Sequence, residues 1–168
     1  YVLQLHGTAD VACTQLVNEG LTPIERYLAL SPDATGETFL QELLEAEGSF
    51  FSYCKEHDGL YHALLWGDLR SRFLPAFVNR MELLLAEHYR ARLATSLIEG
   101  DEIDETTFHT FLYQAVAYQQ FSILETWAAQ DFEQDPAYVA EIACLIIPLD
   151  SDLCSMEVRR TARSRRLA

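Results

Sequence analysis

Two consecutive segments of this chain are apolar on nearly every face, and that constrains its fold more than any other feature. Over residues 105–130, Phe108, Phe111, Leu112, Tyr113, Ala115, Val116, Ala117, Tyr118, Phe121, Ile123, Leu124 and Trp127 recur too densely for one stripe. Over 135–148, Tyr138, Val139, Ile142, Ala143, Cys144, Leu145, Ile146 and Ile147 repeat the pattern. A helix of this kind must bury two faces, one on its own core and one on something else. A symmetric second copy is the simplest something else, the alternative being that the remaining helices enclose both within a monomer's core. The expected interface residues are Ala117, Phe121 and Leu124 on the first segment, with Tyr138, Ile142, Leu145 and Ile146 on the second.

The remaining segments also carry helical periodicity, with Gly and Pro at the joints and little strand-like alternation. A first helix is expected from about Ala9 to Asn18, stopped by Gly20. A second is expected to start at Thr22-Pro23-Ile24-Glu25, which has the form of a capping box. Phe39, Leu40, Leu43, Leu44, Phe50, Phe51 and Cys54 mark a helix over 36–57, broken by Asp58-Gly59, with a short helix over 60–66 after it. Phe73, Leu74, Phe77, Val78, Met81, Leu84, Leu85 and His88 form one stripe over 69–94, which Pro75 either starts or kinks. After the acidic loop GDEIDE, the two apolar helices follow, the last capped by Asp135-Pro136 and ended by Pro148. The expected fold is all-α: a helical bundle whose last two long helices form a four-helix bundle across a dimer. Residues 1–150 make one domain and 151–168 a basic, disordered tail.

Charge narrows the function. The net charge is −14, yet five of the twelve basic residues, Arg159, Arg160, Arg163, Arg165 and Arg166, lie in the last ten positions. That leaves seven basic against twenty-six acidic residues, a net −19, over residues 1–158. So acidic a body repels phosphate backbones, and any contact with DNA needs another segment. No stretch is long and apolar enough to span a bilayer and no secretory leader is visible, so a cytoplasmic protein without membrane contact is expected. Cys13, Cys54, Cys144 and Cys154 lie far apart without a C-x-x-C pair, which suits reduced structural thiols.

Catalytic signatures are absent: no phosphate loop, nucleophile elbow, dinucleotide fingerprint or H-E-x-x-H is present. None of the histidines has Glu three residues before it, so a helical di-metal site is not expected, and neither a metal nor a cofactor is assigned. His57 and His62 flank a turn, and His88 lies on an apolar stripe, where its imidazole needs a hydrogen-bond partner or a ligand. Glu42, Glu45, Glu47, Glu102, Asp104 and Glu105 are read as solvated surface. The candidate walls of a small-molecule pocket are Phe50, Tyr53, His57, Trp66, Phe77, His88, Tyr113 and Gln120. The same residue types also serve as plain core.

The segment AVAYQQFSILETWAAQDFEQDPAYVAEIACLI resembles the closing helices of TetR-family transcriptional regulators. A helix of small and aromatic residues ends at Trp127, Phe132 fills an apolar turn position, and Pro136 follows nine residues after the tryptophan with Asp135 as cap. Val139-Ala140 also fits, and HDGLYHALLWGD resembles an earlier turn of the family more loosely. The likeness spans residues 50–148 and rests on packing and capping residues. It implies the effector-binding and dimerisation domain of a repressor, a homodimer whose DNA binding is relieved by a small apolar or aromatic ligand. The family's helix-turn-helix head is not recognisable before Leu60, and YVLQLHGTADVA at residues 1–12 has the look of a remnant of its end. DNA contact therefore falls to a head absent from this chain. Two readings from other classes stay open: a helical enzyme or haem binder with His57, His62 or His88 as axial ligand, and an adaptor that binds another protein's helices.

Overall fold

The apolar stripe near the start of the chain runs straight through the glycine and proline that the sequence reading places between two helices. The computed structural model describes residues 2–29, 36–88 and 105–146. They form α1 (Val2–Leu28), α2 (Gly36–Glu56), α3 (Asp58–Trp66), α4 (Arg70–His88), α5 (Glu105–Ala128) and α6 (Pro136–Ile146). No strand occurs among the described residues, and the all-α fold class is as expected.

In α1 the buried residues Leu16, Val17, Leu21, Ile24, Tyr27 and Leu28 keep helical spacing across Gly20 and Pro23. Burial of that one continuous face overrides the local stop and start signals. Thr22 is not a cap: its hydroxyl donates to the carbonyl of Asn18 at 2.8 Å, one turn back inside the helix. Glu25 does not reach back to Thr22 but accepts from Arg80 of α4 at 3.0 Å. Gly20 serves a different purpose from the expected helix end. A Cβ there would stand 2.9 Å from the Tyr61 hydroxyl and 3.4 Å from the Tyr53 ring, so glycine lets α2 and α3 approach α1.

The other boundaries follow their local chemistry. His57 forms the turn between α2 and α3, and Asp58 already belongs to the short helix. Asp135 caps α6, its carboxylate accepting from the Ala137 amide at 2.8 Å, with Pro136 in the first helical position. Between α5 and α6, Asp131 and Phe132 adopt positive φ angles of 52° and 53°. The strain of a left-handed phenylalanine is offset by burial, because its ring lies edge-on to Trp127 at 4.9 Å and to His62 at 5.3 Å. The expected ends of the helices beyond His88 and Ile146, the acidic loop and the basic tail lie outside the described residues.

The helices stack as two sub-layers. α2 lies between α1 and α6, and its packing against α6 is the most extensive in the fold. α4 lies between α1 and α5, with α3 closing one end against α4 and α5. α5 and α6 touch each other only slightly, so each is held chiefly by a different helix. A row of aromatic rings joins the layers: Phe77 lies 6.1 Å from Phe50 and 5.6 Å from Phe121, which is 5.9 Å from Phe73. Surface ion pairs Arg72–Asp10, Arg80–Glu25 and Arg70–Glu125 at 2.7, 3.0 and 2.8 Å fix α4 against α1 and α5. Each adds little beside the core. Among the described residues no helix is long and apolar enough to cross a membrane.

Two of the helical glycines, Gly20 and Gly48, should respond in opposite senses. Gly20→Leu should cost about 1–3 kcal/mol by overpacking against Tyr61 and Tyr53. Gly48→Ala, in the middle of α2 with nothing within 4 Å of the new methyl, should gain roughly 0.5–1 kcal/mol. Urea unfolding of both variants beside the parent chain checks the pair.

Candidate functional site

The second apolar face expected of the closing helices is present on both. On α5, Tyr113, Val116, Ala117, Gln120, Phe121, Leu124 and Trp127 are buried in the chain's own core. Phe111, Ala115, Tyr118 and Ser122 make an outward stripe at helical spacing, with Phe111 70% and Tyr118 52% exposed. On α6, Val139, Ala140 and Ala143 lie against the rest of the chain, while Tyr138, Leu145 and Ile146 face outward, Leu145 at 87%. Between the two helices runs a groove of about 390 Å³. Ile123 and Trp127 form one wall, Tyr138, Val139, Ile142 and Ile146 the other, with polar Gln119, Ser122 and Thr126 along its α5 side and Gln130 and Gln134 from the connecting turn at its end.

This placement corrects three of the seven expected interface residues. Ala117, Phe121 and Leu124 are at most 3% exposed and belong to the core, so they offer nothing to a partner. α5 is apolar nearly all round, and periodicity alone does not say which face turns inward. Tyr138, Leu145 and Ile146 are exposed, and Ile142 is half-buried in the groove.

The expected pocket residues do not line one shared cavity among those found. Phe50 and Phe77 are core rings 6.1 Å apart. Tyr113 is buried on α5 and Trp66 is half exposed, stacked on His62 at 5.2 Å. Tyr53 donates to Glu19 at 2.8 Å and stacks on His57 at 4.3 Å. The His57 Nδ1 lies 2.8 Å from the Tyr53 carbonyl, a helix-end contact. The pairing with Glu19 and partial burial push the Tyr53 phenol up, burial being the larger cause. The side chain of His88 lies outside the described residues. No group of three or more His, Cys, Asp or Glu side chains is placed to hold a metal among the described residues.

Gln120 alone of the eight meets an unexpected partner. Its amide donates to Glu47 at 2.6 Å, and the two are the only polar residues fully buried among the described ones. Glu47 is therefore no surface carboxylate, in contrast to the exposed Glu45 two residues before it. Burial pushes its carboxyl up from 4.5 to about 7, opposed only by the Gln120 amide, with no cation helping. Around it stand Cys54 and, on α6, Cys144, whose thiol is pushed up to about 12 by burial and by Glu47. Tyr61 hydrogen-bonds Cys54, and burial pushes both groups up. The described cysteines are free, as expected. The spacing held the clue to Glu47: it follows Leu43 by four and precedes Phe50 and Cys54 by three and seven, on the apolar stripe.

A larger groove of about 910 Å³ opens on the opposite side of α2 and carries Glu19, Glu45, Glu56, Asp135 and Glu141. Its sign of charge repels polyanions, in keeping with the acidic body.

Because Glu47 is neutral more readily in the folded chain than in the unfolded one, its contribution is present below pH 4.5. It is lost as pH rises to about 7 and is constant above that. The loss should be on the order of 3 kcal/mol between pH 4.5 and pH 8. Glu47→Gln should remove that slope and be the more stable chain near pH 8, as urea unfolding at several pH values will show.

No family model, curated protein or solved structure matches the chain.

Proposed function

We propose that the chain is the effector-binding and dimerisation domain of a TetR-like transcriptional repressor. The observation that carries this reading is the outward apolar face of α5 and α6, which includes Tyr118, Tyr138, Leu145 and Ile146. It falls on the segment whose sequence resembles the closing helices of that family. In the reading, two copies bring these faces together as a four-helix bundle, and the groove between α5 and α6 seats side chains of the second copy. Exposed aromatic and aliphatic residues next to small ones suit such a contact.

The effector is a small apolar or aromatic molecule, and the core rings Phe50 and Phe77, packed together in the free chain, would have to part to admit it. There the Glu47–Gln120 pair supplies the polar group that fixes orientation. Its binding would shift the arrangement of the helices and so the spacing of two DNA-binding heads. DNA contact belongs to a helix-turn-helix head not recognisable in these residues, because the body is acidic.

The test is solution mass. The parent chain should run at twice 19.1 kDa. Leu145→Glu and Tyr138→Asp, at exposed positions, should yield folded monomers with unchanged helicity, each weakening association by about 2 kcal/mol or more. Ala117→Glu should instead unfold the chain, since it places a charge in the core. A parent chain of 19.1 kDa in solution overturns the reading.

A further inference from the structure

The groove between α5 and α6 is assembled from two helices that scarcely touch. α6 is carried by α2, and α5 is carried by α4. What joins α2 to α5 beneath the groove is a short list of contacts: the Phe51 ring edge-on to Trp127 at 5.5 Å, and the Glu47–Gln120 hydrogen bond at 2.6 Å. Trp127 is itself a wall of the groove. The position of one wall relative to the other therefore depends on whether Glu47 stays in place.

We infer that Glu47 and Gln120 form an acid–amide lock whose ionisation loosens α2 from α5 and spreads the walls of the α5–α6 groove. In the locked form the protonated carboxyl donates to the Gln120 Oε1, which otherwise has no partner although fully buried, while the Gln120 Nε2 donates back. Both groups are then satisfied without a counter-ion. Ionisation removes the donor, leaves two acceptors facing each other and puts a charge where no cation answers it. The structure can relieve that by admitting water along the seam between α5 and α6, where the two helices touch only slightly.

Every neighbour of Glu47 supports this division of roles. On its own helix the titratable neighbour is Cys54, engaged by Tyr61 of α3. From α6 it meets Cys144, and from α5 the neutral amide of Gln120. Glu19 of α1 and Glu141 of α6 line the outer acidic groove, and no charged side chain offsets the burial of Glu47. The lock rests on the paired-face reading only for its consequence: if α5 and α6 form the dimer face, its geometry becomes pH-dependent near neutrality.

The test uses the full chain with Trp66→Phe, which leaves Trp127 as its single tryptophan. Its emission and acrylamide quenching are followed from about pH 5 to about pH 9, with solution mass measured at both ends. The expected result is a red shift and a quenching constant rising roughly twofold, centred near neutrality. Glu47→Gln should abolish the transition while leaving His57 and His62 in place. Glu47→Leu should abolish it as well, and provides the same comparison if the glutamine variant does not fold. A flat profile in the Glu47 chain, or the same transition in both variants, overturns the inference. A monomer at both ends that keeps the Glu47-dependent transition supports the lock and removes the dimer reading. A dimer at both ends with a flat profile does the reverse.

Discussion

A carboxyl group held in the core without a cation is the constraint on which the rest of this structure turns. Glu47 is 1% exposed and has the Gln120 amide as its hydrogen-bond partner. Around it the fold is apolar and aromatic, and a single charge there is costly unless it is neutralised or paired. The pair sits where the α1–α2–α6 layer meets the α3–α4–α5 layer. It adds a short, directional hydrogen bond to a junction made otherwise by the row of rings, by the packing of α1 on α4 and by the ion pairs between them.

The outward face follows from that arrangement. α5 turns Ala117, Phe121, Leu124 and Trp127 inward onto α4 and α2, and α6 turns Val139, Ala140 and Ala143 onto α2. Each short inward face is satisfied within the chain, which leaves exposed apolar residues on both helices. An apolar surface shared by two helices, with a groove between them, is a surface with a use. The regulator reading gives it one, and the same helices are those whose sequence resembles the closing helices of that family.

Much of the fold was legible in the sequence, because long segments with strong periodicity report their own helices. The starts of α3, α5 and α6 lay within a few residues of their local signals, and Asp135 caps α6 as its position implied. Gly20 and Thr22-Pro23 misled, since a continuous buried stripe outweighs a capping box. The orientation of α5 was not legible: with apolar residues on nearly all faces, its sequence does not distinguish Phe121, which is inside, from Tyr118, which is outside. Glu47 was hidden by company, standing in a run with Glu42 and Glu45 that reads as solvated. Only its place on the Leu43, Phe50 and Cys54 stripe distinguishes it, and a long-range partner such as Gln120, on another helix, is beyond the reach of local pattern.

The most direct measurement is the titration of the Glu47 carboxyl itself, by carbon NMR of the glutamate-labelled chain with Glu47→Gln to assign the resonance. A midpoint near 7, well above 4.5, is the result predicted for a buried acid locked to Gln120. A carboxyl that titrates near 4.5 in the folded chain would contradict it, and with it the account of how the two layers are held together.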